Sequence, residues 1–467
     1  MCLVLLAACE SVPHYRGGPS MTGSFAETTI GVGNVGTIAE RWRRVRSTDG
    51  SSPTSVTSGD TIFDAVGAYD DPLGADCAVG SFTCAPKWTW QHLQPDSHYS
   101  APTAWGDYVF FNITGKDLLK PQALVAYDAH GVTNCSGAPK VCAPVRVAGV
   151  IDDSINTAYG VRSSSPDAPV VADGIVYINN DTWGSIDAYD AAGKAECDQL
   201  TTVVMCHPLW RALGVWPAGA PAVVAGVAYI TVRENVPPLT GLPNRGGLLA
   251  YDAKGTTNCT GSHPRTCQPL WTAPVGDGHP VDVSSPSPAV AGGLVYGTIG
   301  AYVYALDAAG VAGCSGTPKV CTPRWTATPP GVPFGTHLTV AGGRLFVSTQ
   351  RGIEVYDAAG DERCSGTPRT CQPIASDRYV PAGSTTPAPI TGAIVANGVV
   401  YGLTPGSAWW DWLLVAFDAT AVQGCSGAAP IVCSSLLTGP VVHTEGGALS
   451  VGRGRIASGV NVYAPPG

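Results

Sequence analysis

Charge is scarce in this chain. Only 13% of its 467 residues are Asp, Glu, Lys or Arg, and 35 acidic against 26 basic side chains leave a net charge of −9. That balance excludes non-specific binding to nucleic acid, which depends on cations displacing counterions from phosphate. Long apolar runs are missing as well, and none approaches the roughly 18 residues of a membrane-spanning helix. No segment of useful length carries helical periodicity. There is no Gly-x-Ser-x-Gly elbow, no His-Glu-x-x-His and no Cys-x-x-Cys-His, so these hydrolase, zinc-protease and haem-attachment signatures are absent. Gly31-Val32-Gly33-Asn34-Val35-Gly36 has the spacing of a dinucleotide loop, but no strand–turn–helix surrounds it. The nine histidines lie singly, and Asp152-Asp153 reads as a solvated acidic loop rather than a cation site. The basic run Arg41–Arg46 reads as one strand with a solvated face.

What the chain has in quantity is glycine (58), proline (39) and cysteine (16), with 45% apolar residues to build a core. Glycine and proline at this density suit many short strands and tight turns. One phrase recurs seven times, centred on Asp70, Asp128, Asp190, Asp252, Asp307, Asp357 and Asp418, at spacings of 58, 62, 62, 55, 50 and 61 residues. Its clearest copy runs Val303-Tyr304-Ala305-Leu306-Asp307-Ala308-Ala309-Gly310, then Cys314, Cys321 and Trp325. A period of this length is the mark of a repetitive architecture.

Each copy ends in two cysteines: Cys77 with Cys84, Cys135 with Cys142, Cys197 with Cys206, Cys259 with Cys267, Cys314 with Cys321, Cys364 with Cys371 and Cys425 with Cys433. Zinc would want closer spacing and histidine partners. Seven local disulfides are therefore expected, each contributing ~2–3 kcal/mol by the loop-entropy formula, and disulfides persist only in an oxidising compartment. The remaining two cysteines, Cys2 and Cys9, are N-terminal. Leu6-Ala7-Ala8-Cys9 resembles the lipobox of bacterial lipoproteins, which implies lipid on Cys9; the alternative is a chance Ala-Ala-Cys. On the lipoprotein reading, residues 1–9 are a truncated signal peptide, 10–36 a tether and 37–467 one domain, and the protein is held to a membrane of the cell envelope by its lipid alone.

Within a repeat, Ala168-Pro169-Val170-Val171, Ile175-Val176-Tyr177-Ile178-Asn179, Ser185-Ile186-Asp187-Ala188-Tyr189-Asp190 and His207-Pro208-Leu209-Trp210-Arg211 read as four antiparallel strands. Repeated about a centre, such units make an all-β β-propeller. Strands after Gly447 lack a fourth partner, which Thr37–Arg43 supplies, so eight blades closed by both termini are expected, with seven the alternative.

Pro169-Val170-Val171-Ala172-Asp173-Gly174-Ile175-Val176-Tyr177, followed by Ala188-Tyr189-Asp190-Ala191-Ala192-Gly193 and Trp210, resembles the repeat of the PQQ-like (quinoprotein-type) β-propellers. The resemblance covers residues 37–467. It implies a docking set of alanine, aspartate, glycine and tryptophan that joins neighbouring blades. Ala188, Asp190, Gly193 and Trp210 match it, as do Ala250, Asp252, Gly255 and Trp271, and Ala305, Asp307, Gly310 and Trp325. Arg146, Ala375 and Leu437 stand where tryptophan should be. The aspartates read as turn caps rather than acids or ligands. The enzymes of the family use PQQ with calcium, a carboxylate base and adjacent cysteines, whereas no two cysteines are adjacent here.

Connectivity puts the disulfide loops on one end of the propeller and the irregular loops, Asn112–Pro121, Arg233–Arg245, Pro405–Trp412 and the connection Val150–Ser165, on the other. Trp409, Trp410, Asp411 and Trp412 form the candidate binding cluster, suited to stacking on a sugar or anchoring a protein; the alternative is that some pack beneath the loop. The expected function is a non-catalytic, monomeric envelope lipoprotein binding a protein or glycan, without a catalytic, metal or cofactor site. The alternative is a diverged PQQ-dependent alcohol or sugar dehydrogenase. Replacing Cys9 by serine should move the protein from the membrane to the soluble fraction on fractionation; unchanged membrane retention would show that the lipobox reading is wrong.

Overall fold

The computed structural model describes residues 15–465 apart from 22, 45–53, 71–82, 93–96, 116–122, 149–166, 181–183, 201, 216, 233–245, 276–286, 407–411, 438–440, 443–447 and 460. Those residues form an all-β propeller with no α-helix among them, only two short 3₁₀ turns. The strands make eight separate sheets. In one of them Val170–Ala172, Ile175–Asn180, Ser185–Asp190 and Trp210–Leu213 pair antiparallel in chain order, from the innermost strand outward. The β-branched and aromatic residues of the second and third strands are buried on both faces, because each sheet is sandwiched between two others.

The innermost strands follow one another side by side: 56–58, 103–105, 170–172, 222–224, 289–291, 333–341, 391–396 and 449–452. The last meets the first where the Ala448 amide donates to Thr54 Oγ1 at 3.2 Å and Arg453 pairs with Asp60 at 2.5 Å. The final sheet joins both ends of the chain, since Ala39–Arg44 pairs antiparallel with Asn461–Ala464. Arg44 corrects the reading of the basic run as solvated. It is buried, forms an ion pair with Asp64 at 3.0 Å and donates to the carbonyl of Gly459.

Six disulfides are defined, and they join the expected partners: Cys135 to Cys142, Cys197 to Cys206, Cys259 to Cys267, Cys314 to Cys321, Cys364 to Cys371 and Cys425 to Cys433. Cys84 is disulfide-bonded too, and its expected partner Cys77 lies outside the described residues. The setting of these pairs corrects the sequence reading, which made them rim loops on a four-stranded blade. Each described pair closes a short antiparallel hairpin, and in all six the two cysteines stand directly opposite one another. The second strand of that hairpin pairs in parallel with the outermost strand of the preceding repeat. Arg265 and Thr266 thus align with Trp210 and Arg211, and Ile431–Ser434 with Ala375–Arg378. This pairing makes the two sulfurs of a bridge unequal. Cys142, Cys206, Cys267, Cys321, Cys371 and Cys433, on the strand that joins the neighbouring sheet, are buried, whereas Cys135, Cys197, Cys259, Cys314, Cys364 and Cys425 are only partly so. Among the described residues six of the eight sheets are completed in this way, and a seventh gains Thr83–Cys84 in parallel with Arg43 and Arg44, which raises them to five to seven strands. A hairpin this short has no stability of its own. The disulfide holds it closed, and the neighbouring edge gives it a partner while losing its own exposed hydrogen-bonding groups.

Neighbouring sheets are joined by a repeated lock. Trp210 Nε1 and Tyr177 Oη both donate to the Ala253 carbonyl of the next repeat, each at 2.9 Å. Trp325 and Tyr296 do the same to Ala358, at 3.1 and 3.0 Å. The tryptophan fits because the facing residue is a left-handed glycine: a Cβ on Gly255 would lie 2.3 Å from Trp210 Cδ1, and one on Gly310 2.3 Å from Trp271 Cδ1. Arg146 does the work of the missing tryptophan. Its guanidinium lies against Gly193, donates to the Ala191 carbonyl and stacks 3.6 Å from the Tyr108 ring centre. At Ala375 the small side chain is matched on the facing repeat by Ala421, which replaces the glycine at φ 58°.

Residues 10–36, read from sequence as a tether, are packed from Tyr15 onward. Arg16, Met21, Phe25, Ile30 and Val35 are all buried. The carbonyls of Pro19, Ser20 and Gly23 accept from Val223, Val290 and Val395 at 2.7, 2.9 and 2.9 Å, so the segment crosses successive innermost strands. Ser24–Phe25 then pairs in parallel with Val395 and Ala396.

Replacing Trp271 by alanine should cost ~3–5 kcal/mol in denaturant unfolding, and Gly310→Ala should cost ~1–3 kcal/mol through overpacking and strain. The double variant should lose less than the sum, because the added methyl enters space the indole vacated. Strict additivity would show that the two do not share a contact.

Candidate functional site

Antiparallel connectivity brings the ends of the third strands to the same rim as the turns between first and second strands, as Ile175 opposite Asp190 shows. At this rim the recurrent aspartates cap their own loops. Asp252 accepts from the amides of Lys254, Thr256 and Thr257 at 3.1, 2.8 and 2.6 Å and from Thr256 Oγ1 at 2.5 Å. Asp190 accepts from Ala192, Lys194 and Ala195, and Asp418 from Thr420, Val422 and Gln423. Partial burial pushes the Asp252 carboxyl up, but the Thr256 hydroxyl and the three loop amides outweigh it and lower it to about 2. Asp128, Asp190 and Asp418 are lowered by the same balance. A carboxylate so saturated with donors is a poor base and a poor ligand.

The hairpin cations are used as well. Lys140 and Lys319 donate Nζ to the carbonyls of Gly131 and Gly310, both at 3.1 Å, and Arg265 and Arg369 reach Gly255 and Gly360. Polar groups at this end are thus committed to holding the loops in shape.

Two further carboxylates were missed in the sequence. Asp187 and Glu354 each stand three residues before a capping aspartate and are fully buried on third strands. Asp187 faces Arg211 at 3.3 Å, with Ser185 at 3.3 Å, and Glu354 is held by Arg378 and by Ser376 at 2.5 Å. Burial raises the Asp187 carboxyl although Arg211 opposes it. Their alternation with apolar neighbours was the available signal, and each is buried and met by an ion pair with an arginine of the adjacent strand.

Trp409, Trp410 and Asp411, which the sequence reading assigned to the opposite end, lie outside the described residues, as do the loops 233–245 and 150–165 and most of 112–121. Trp412 opens the strand Trp412–Asp418, opposite Pro405 and Val442. It is half-buried and packs on the cluster containing Leu403, Leu414 and Leu437. Near this end the Asn112 side chain donates to the carbonyls of Asp167 and Asn179 at 3.3 and 3.4 Å, tying adjacent sheets together.

Among the described residues no three His, Cys, Asp or Glu side chains converge to hold a metal ion. The described cysteines are all spent on hairpins.

Lowered carboxyls stabilise the fold above their unfolded value, near 4, and that contribution is lost as pH falls through their folded values, about 2 for Asp252. The melting temperature should accordingly drop between about pH 4 and pH 2, and Asp252→Ala should flatten part of that slope while lowering stability at pH 7. An acid profile unchanged by the substitution would remove the cap from the account.

No family profile and no curated protein sequence matches the chain. Solved structures do. The quinohemoprotein alcohol dehydrogenase ADHIIG from Pseudomonas putida HK5 superposes with a TM-score of 0.53 at 12% identity, covering 98% of this chain and 76% of that one. The quinohemoprotein alcohol dehydrogenase from Comamonas testosteroni gives 0.51 at 13% identity, covering 96% and 76%. At such identities the likeness is one of fold alone: the chain folds as a β-propeller, as those two enzymes do.

Proposed function

We propose that this is a non-catalytic binding propeller, its eight sheets forming eight blades of one closed ring, anchored outside the cytoplasm by lipid on Cys9. It would present the end opposite the disulfide hairpins to a protein or glycan of the cell envelope. The observation that carries this reading is the asymmetry of the two ends. At the hairpin end the capping carboxylates, the hairpin cations and the N-terminal segment all serve the fold itself. The sequence assigns to the opposite end the long, unequal loops, including Trp409 and Trp410, which have no counterpart in the other repeats. Rigid scaffold at one end and variable loops at the other is how propellers and barrels commonly divide structure from recognition. Disulfides throughout the ring support a location in an oxidising compartment.

The second reading, a diverged PQQ-dependent alcohol or sugar dehydrogenase, is favoured by the structural neighbours alone. Adding PQQ and calcium to the pure protein, and looking for bound quinone absorbance with dye-linked alcohol or sugar oxidation, separates the two.

Replacing Trp409 and Trp410 together by alanine should weaken capture of envelope protein or glycan by ~2 kcal/mol or more, as for an exposed aromatic anchor. The melting temperature should stay nearly unchanged. Early unfolding with capture intact would instead make both tryptophans packing residues.

A further inference from the structure

The locks between neighbouring sheets are not all alike. Tryptophan or arginine fills the slot at Trp88, Arg146, Trp210, Trp271 and Trp325, each against a glycine of the next repeat. Two interfaces in a row lack it: at Ala375, which meets Ala421, and at Leu437, whose following repeat ends the chain without a capping aspartate. The first of these also buries the Asp377 carboxyl, whose Oδ2 has no hydrogen-bond partner among the described residues. Leu437 belongs to the one sheet without a disulfide hairpin on its outer edge among the described residues.

The N-terminal segment makes side-chain contacts at both of these places, besides that of Met21 in the cluster of Val223 and Val290. Across the Ala375 interface, Arg16 donates to the Leu338 carbonyl and to Thr339 Oγ1 on one innermost strand, while Gly23 and Ser24 pair with Val395 on the next. Thr339 Oγ1 itself donates to the Ala393 carbonyl at 2.5 Å. Across the Leu437 interface, Asn397 donates to the Ile30 carbonyl at 3.2 Å and the Gly454 amide donates to Glu27 Oε2 at 2.9 Å. Ile30, Val35 and Ile38 are buried in one cluster with Leu437, Leu449 and Tyr463. The segment is fixed in shape by its own bonds. Glu27 Oε1 accepts from the amides of Thr28, Thr29 and Ile30, and the Gly23 amide donates back to Arg16 at 3.1 Å.

We propose that residues 16–38 are a strap that replaces the missing tryptophan locks, holding shut the two interfaces where the ring would otherwise open. The strap adds hydrogen bonds at the axis and apolar burial at the outer edge, the two contributions a Trp–Gly lock makes between ordinary repeats. Its crossing at Val223 and Val290 uses backbone carbonyls and the buried Met21 side chain, which lies in one cluster with those valines, and positions the segment before it reaches the weak interfaces.

Amide hydrogen exchange read by mass spectrometry tests this on two variants. One lacks residues 1–26; the other is the full chain with Gly23→Val, whose side chain would start 2.5 Å from Thr339 Oγ1 at φ +67°. In both, exchange should speed up on the order of ten-fold or more in 391–396 and 449–458, through local opening. Residues 175–190, between intact locks, should keep wild-type protection. Equal acceleration everywhere, or wild-type exchange in 391–396, overturns the proposal. If the truncated chain does not fold, the Gly23→Val pattern decides alone.

Discussion

A single backbone carbonyl, that of the alanine following the capping aspartate, is where one repeat takes hold of the next at Ala191, Ala253, Ala308 and Ala358. Ala253 and Ala358 each receive an indole N–H and a tyrosine hydroxyl from the preceding sheet, and Ala191 receives a guanidinium. The bond forms only because the loop around it is prefolded. The aspartate gathers the loop amides, and the glycine three positions on takes a left-handed conformation that leaves room for the ring. Removing the aspartate would therefore disturb a contact it does not itself make.

The disulfide hairpins act on a different part of the same problem. A propeller blade has an outer edge that nothing in its own repeat can cover, and bare edges recruit other strands. Here the next repeat supplies the cover, and the hairpin cation ties back to the glycine of its own loop, as Lys319 does to Gly310. Edge protection, loop shape and the interblade lock thus converge within about twenty residues of each aspartate. Little is left at that end for recognition.

Much of this was legible in the sequence, for physical reasons. The cysteine pairs, the aspartate caps and the strand pairs around Val176 and Tyr189 announce themselves through spacing and alternation. The parallel pairing of a two- or three-residue strand with the previous repeat leaves no such trace, because so short a strand has no period. Arg146 looked like a lost contact, since arginine reads as a surface residue; only the geometry shows its flat guanidinium in the place of an indole. The compensation of Ala375 by Ala421 was present in the letters but meaningless until the two repeats were known to face each other. The N-terminal segment misled most. Part of its hold on the ring runs through the carbonyls of Pro19, Ser20 and Gly23, which any sequence would provide, and its glycines read as slack.

Because each hairpin completes the sheet before it, the folding unit is displaced from the sequence unit by part of a repeat. A chain emerging amino end first cannot finish a blade of this kind until the following aspartate and its two cysteines have emerged as well. The bond that forms within one hairpin thereby certifies the blade already delivered. A fragment meant to stand alone should accordingly be cut after a hairpin's second cysteine, not at the end of a tryptophan strand.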